Sequence, residues 1–189
     1  MARHSELVKI PRIDRYITKL ALGTAPLGGL FTSVAESDAE STILTAVDAG
    51  IKYFDTAPLY GYGNAERRLG SALNKSGKEF VISTKVGRVL DKITPVNKSE
   101  DDSLGSYVDV DPTLTPIFDF SREGILRSIE ESLARLKIPA IDIAYIHDAD
   151  DRIGEAIEKS YPVLDELRTQ GVIKGIGVGM NYCAPSIKA

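Results

Sequence analysis

Four ionisable side chains stand out in this 189-residue sequence: Asp55, Tyr60, Lys85 and His147. Together they can do chemistry that none does alone. A free phenol titrates near ~10 and is a poor proton donor at neutral pH. A lysine ammonium beside it favours the phenolate and lowers that value. A carboxylate paired with the lysine keeps it charged and oriented. A histidine close by can hydrogen-bond a carbonyl oxygen and polarise it. The set suits delivery of a proton to an alkoxide oxygen, or its removal from an alcohol. That is one half of a hydride transfer, and the hydride must come from a cofactor, since no side chain supplies one.

Singly, each residue has an ordinary structural use. A strand-end aspartate often caps the next turn. A lone lysine at a strand end is usually solvated, and a tyrosine is usually a half-buried rim residue. A histidine beside an aspartate, as in His147-Asp148, more often makes a structural hydrogen bond than it catalyses. The chemical reading rests on the coincidence of all four, so it requires elements that bring them together.

The sequence supplies such elements. Short apolar, β-branched runs at 17–22, 51–54, 80–84, 141–146 and 172–178 read as buried strands. Between them lie stretches with helical periodicity. Ser37-Asp38-Ala39-Glu40 resembles a capping box, in which Ser37 and Glu40 satisfy free N–H groups at a helix start. Gly50 is placed to stop that helix. A shorter helix is expected over 64–73, weakened by Gly70. Residues 121–137 carry apolar positions along one helical face. Residues 151–170 read as two helices broken at Pro162, with Gly171 ending the second.

Alternation of strand and helix argues for a parallel sheet with helices outside it. A (β/α) barrel and a doubly wound open sheet both fit. The doubly wound nucleotide-binding type usually puts a G-x-G-x-x-G loop after its first strand. Here Gly23-Thr24-Ala25-Pro26-Leu27-Gly28-Gly29 lacks that spacing, and Pro26 lacks an N–H, so the barrel is the better reading. In a barrel, polar residues at the C-terminal strand ends face one mouth. Asp55 ends the second strand, Lys85 the third and His147 the fourth. Tyr60, five residues past Asp55, reaches the same mouth.

One connection is long. Residues 88–120, after the third strand, show no strong period and read as a long loop, either a substrate lid or a disordered insertion. Its acidic run Glu100-Asp101-Asp102 reads as solvated. Residues 1–189 are expected to form a single domain.

Composition excludes several classes. The net charge of −4, with signs mixed along the chain, offers no basic patch for nucleic acid or a membrane surface. No apolar run approaches the ~20 residues of a membrane span. The first residues lack the apolar core of a signal peptide. Cys183, alone, cannot form an internal disulfide. No metal site is expected, and a cytoplasmic setting is the default.

At the chemical residues a family becomes visible. Phe54-Asp55-Thr56-Ala57-Pro58-Leu59-Tyr60-Gly61, followed by Asn64-Ala65-Glu66-Arg67-Arg68-Leu69-Gly70, closely resembles the aldo-keto reductase signature, and Lys85 and His147 match its remaining catalytic positions. The resemblance covers about residues 17–181. It implies a TIM-type (β/α)8 barrel, with Tyr60 as general acid/base, Asp55 and Lys85 as its tuners, and His147 orienting the carbonyl. It also implies an NADP or NAD cofactor: Thr24 and Asp55 match positions near the nicotinamide and its ribose, and Asn181 the residue that holds the carboxamide. Met180 stands where many members have serine. The Ala-Pro-Leu-Tyr-Gly form, residues 146–151 and residues 177–181 resemble the subgroup of aldose 1-dehydrogenases acting on L-fucose, D-threo-aldoses or L-galactose, and the related pyridoxal 4-dehydrogenases. A small carbonyl or sugar substrate follows.

The family barrel has eight strands and typically needs ~250 residues. Only about five βα units are legible here, and residues 182–189 do not continue the expected pattern. An incomplete barrel is therefore expected, with open edges that invite self-association. An NAD(P)-dependent oxidoreductase is the first reading. A catalytically inactive fragment, acting through oligomerisation or a partner, is the second.

Overall fold

Leu7–Ile10 and Arg15–Thr18 pair as an antiparallel hairpin, β1 and β2, in the computed structural model, which describes residues 4–94 and 107–188. The strand expected over 17–22 is thereby divided. Its front completes the hairpin, and only Leu22–Gly23, β3, joins the main sheet. The buried Thr18 makes the break: its Oγ1 donates to the Leu20 carbonyl at 2.7 Å and accepts from the Lys52 N–H at 3.1 Å.

The main sheet is parallel. Its strands are β3, β4 (Tyr53–Asp55), β5 (Val81–Val86), β8 (Ile141–His147) and β9 (Ile173–Gly179), in that order across the sheet. Between β5 and β8 in the chain stand β6 (Arg88–Lys92) and β7 (Leu114–Phe118), an antiparallel ribbon with Arg88 opposite Phe118. The expectation of an unstructured loop over 88–120 is corrected at both described ends. Burial of Val89, Leu90 and Thr115 holds the ribbon, while Pro116 disguised it, because proline within a run argues against all but an edge strand. The acidic run at 100–102 lies outside the described residues.

Helices follow the barrel strands: α1 (Glu36–Asp48), α2 (Asn64–Ser76), α3 (Arg122–Leu136), α4 (Ile153–Thr169) and the short α5 (Cys183–Lys188). The capping box at the start of α1 does not form. Ala35 is the N-cap and has no side-chain bond, so Ser37 falls inside the first turn and Glu40 pairs with Lys75 across to α2. Glu36 and Asp38 instead place negative charge at the positive end of the helix dipole. Gly50 follows the end of α1 at φ +86°, as its position suggested. Ser121 caps α3, accepting from the Gly124 N–H at 3.1 Å. The break expected at Pro162 is absent. Proline costs about 3 kcal/mol or more inside a helix, but the next turn buries Val163, Leu164 and Leu167 against β8 and β9, and α4 runs through.

Two apolar layers result. One packs Ile43, Leu69 and Leu73 of α1 and α2 on Phe54 and Ile82. The other packs Ile125, Ile129 and Leu164 of α3 and α4 on Ala144, Ile146 and Ile173. Between α2 and α3 lies an ion pair: Glu66, fully buried, takes 2.6 Å bonds from Arg135 and from Thr84 of β5. Gly70 has a packing reason. A Cβ there would overlap the backbone carbonyl of Leu136, so glycine lets α2 close on α3. The sheet is an arc with β3 and β9 at its edges. Among the described residues no helix is long and apolar enough to cross a membrane.

Candidate active site

Period-2 alternation aims Tyr53 and Asp55 of β4, Ser83 and Lys85 of β5, and Tyr145 and His147 of β8 to the same side of the sheet. The register sets their heights, with Asp55 opposite Ser83 and Lys85 opposite Tyr145. The site is assembled by these three strand ends and by the turn after β4 that carries Tyr60.

Lys85 is buried, contrary to the solvated reading. Its Nζ donates to Asp55 Oδ2 at 2.6 Å and to the Thr56 carbonyl at 2.8 Å, and it lies 4.7 Å from the centre of the Tyr60 ring. His147, 4% exposed, meets Tyr60 edge-on with ring centres 5.9 Å apart. All four expected residues therefore converge. Tyr60 is fixed by its turn: Gly61 adopts φ +62°, and a Cβ on it would overlap the carbonyl oxygen of Gly28. Only glycine allows the two turns to touch there.

The electrostatics correct one expectation. The Tyr60 phenol is pushed up, not down, by burial first and then by the Asp55 and Asp148 carboxylates. Lys85 spends its ammonium on Asp55 and Thr56, so Tyr60 keeps its proton in this state. His147 is held well below its ordinary value by burial and then by the Lys85 and Arg88 charges, and so is neutral. Its Nδ1 is buried without a partner among the described residues, and its Nε2 lies 3.5 Å from Asp148 Oδ2. Asp148 sits in the left-handed region, φ +45°, with Arg88 Nη2 3.6 Å away.

Of the two further cofactor candidates, Thr24 braces the backbone of this cluster and Asn181 stands apart from it. Thr24 is fully buried, and its N–H and Oγ1 both donate to the Asp55 carbonyl at 3.0 Å. It fastens the end of β4. Asn181 is exposed beyond β9; its N–H and Nδ2 bond to the Asp150 carboxylate at 2.9 and 3.3 Å. A side-chain amide and a carboxamide each offer an NH2 and a C=O; the Asn181 amide carries that chemistry, with its Nδ2 turned to Asp150.

Sequence reasoning missed several neighbours. Ser83 donates to Asp55 Oδ1 at 2.6 Å. Tyr107 lies against Tyr60 with ring centres 6.4 Å apart. Arg88 covers the Phe118 ring at 4.5 Å. Ser83 was discoverable, because it shares the Lys85 face of β5 by alternation. Tyr107 was not, since its approach depends on the far end of the 88–120 segment folding back to pair with Gly29 and Leu30.

An arc of parallel β/α units thus brings Asp55, Tyr60, Lys85 and His147 together at its carboxyl ends. Residues 19–188 match the aldo/keto reductase family model, and the chain belongs to that family. The match runs through residue 188, past Asn181, where the resemblance was expected to end. Over 94% of its length the chain is 37% identical to a pyridoxal 4-dehydrogenase from Microbacterium luteolum, covering 56% of that protein. It is 39% identical to a D-threo-aldose 1-dehydrogenase from a Pseudomonas species, over 86% of this chain and 50% of that one. A glycerol dehydrogenase structure from Gluconobacter oxydans superposes with a TM-score of 0.73 at 30% identity, over 98% of this chain and 51% of that one. The chain thus spans about half the length of the curated relatives it matches. Members of the family generally use NAD(P)(H).

Proposed function

We propose that the protein interconverts an aldose, or a similar carbonyl or alcohol, and its oxidised or reduced partner, with NADP or NAD as hydride carrier. The observation that carries this reading is the Lys85 ammonium, 2.6 Å from Asp55 and 4.7 Å from the Tyr60 ring centre, with His147 at the ring edge. Tyr60 donates a proton to the substrate oxygen in reduction and accepts one in oxidation. Asp55 holds Lys85, and Lys85 supplies the positive charge that stabilises the phenolate once the proton has left. His147, neutral and dry, hydrogen-bonds the carbonyl oxygen and sets its angle.

When bound, the dinucleotide supplies or takes the hydride. Asn181 would hold its carboxamide, and Thr24 keeps the Asp55 end of β4 in place. A D-threo-aldose 1-dehydrogenase and an L-galactose dehydrogenase stand beside the pyridoxal 4-dehydrogenase among the similar proteins, and we place aldoses, L-fucose included, before pyridoxal as substrates. A cytoplasmic setting agrees with the single cysteine.

The test is dinucleotide absorbance at ~340 nm during incubation with aldoses and simple aldehydes. Tyr60→Phe is expected to lower kcat by about 100-fold or more, the usual contribution of a general acid/base, with an unchanged melting temperature. Normal turnover in that variant sinks the role of Tyr60.

A further inference from the structure

Both carboxylate oxygens of Asp55 are gripped by one strand. Oδ2 takes Lys85, and Oδ1 takes the hydroxyl of Ser83, two residues earlier on β5, each at 2.6 Å. Ser83 is fully buried. Its oxygen in turn accepts from the Tyr53 hydroxyl at 3.1 Å, and Tyr53 lies 3.3 Å, oxygen to oxygen, from Tyr145. The line runs in one direction, from Tyr53 through Ser83 to Asp55, because a carboxylate can only accept. Burial pushes the Tyr53 phenol up and keeps it a donor.

We propose that Ser83, backed by Tyr53, is a positioning residue that locks Asp55 in the orientation that grips Lys85. A carboxylate held by one partner can turn about its last side-chain bond, which is a broad two-fold torsion. One held at both oxygens by charge-assisted bonds cannot turn without breaking one of them. Lys85 then stays beneath Tyr60, and its distance to the phenol is fixed before substrate arrives. Supporting bonds of this kind are what hold a reactive group within a fraction of an ångström of its working position. The inference rests on the oxidoreductase reading for its effect on rate, but its effect on Lys85 is independent of turnover.

Three substitutions test it. Ser83→Ala removes the bond to Asp55, Tyr53→Phe removes only the support behind it, and Ser83→Thr retains a hydroxyl. Two readouts are paired. Lysine acylation followed by mass spectrometry is expected to label Lys85 about five-fold faster in Ser83→Ala than in wild type. Tyr53→Phe should fall between them, Ser83→Thr near wild type, and the other lysines should be unchanged. Steady-state kinetics on an aldose are expected to show kcat down about ten-fold in Ser83→Ala with KM within about two-fold, and recovery in Ser83→Thr. Unchanged Lys85 labelling in Ser83→Ala overturns the proposal. So does labelling that rises equally at the half-buried Lys52 and Lys174, which marks a merely structural role. If wild type turns over no carbonyl or alcohol, the oxidoreductase reading fails, and the labelling still decides whether Ser83 positions Lys85.

Discussion

His147 enters the site neutral, and that has a consequence for stability. Its folded value is depressed by burial and by the nearby Lys85 and Arg88 charges, whereas an unfolded histidine titrates near ~6.5. Below that pH the unfolded chain takes up a proton that the folded chain refuses. The unfolded state then binds more protons, so stability rises with pH across this range. The contribution is intact above about pH 7 and is lost as pH falls through 6.5. Its slope approaches about 1.4 kcal/mol per pH unit. Urea midpoints at about pH 7.5 and 5.5 should show the loss, and His147→Gln should flatten it. The four residues of this cluster were legible in the sequence because each closes a strand or follows one. Their protonation was not legible. The lowered phenol expected for Tyr60 assumed a lysine free to act on it, whereas Asp55 and the Thr56 carbonyl claim that lysine.

Elements bring these residues to one mouth, and Glu66 is where three of them meet. Its fully buried carboxylate joins α2 to Thr84 of β5 and Arg135 of α3. Removing one partner of such a pair leaves an uncompensated buried charge. Glu66→Gln is therefore expected to lower unfolding stability by about 3 kcal/mol, seen in chemical denaturation, although among the described residues Glu66 bonds to none of Asp55, Tyr60, Lys85 and His147. Periodicity located α1 to α4 because each buries a single face. It placed the start of α1 wrongly because Ser37-Asp38-Ala39-Glu40 carries capping-box residue types without the geometry. It broke α4 at Pro162 because tertiary burial is invisible to local rules. The β6–β7 ribbon escaped notice for the same reason: its strands are 5 residues each and find each other across more than twenty intervening positions.

Over the whole molecule, the parallel order of five strands followed from the alternation of runs, and the family followed from the motif between Phe54 and Gly70. The hairpin at 7–18 did not, since its strands are largely exposed and carry little apolar pattern. Among the described residues the arc presents β3 and β9 as edges, each with one side that pairs with no strand. A 189-residue polypeptide of this sequence is expected to self-associate through them. Light scattering at increasing concentration should show a rising mean mass, and a constant monomer mass would refute this.

The Lys85 ammonium touches the backbone of the β4 end as well as the Asp55 carboxylate. The contact we propose to serve proton transfer also fastens two strands together. A descendant that had abandoned the reaction would still lose folding strength by discarding this lysine. Natural selection would then retain Lys85 for reasons unrelated to turnover, and its persistence in a lineage would not count as evidence of activity. Tyr60, whose hydroxyl makes no such fastening among the described residues, is the better marker of a lineage that still performs the chemistry.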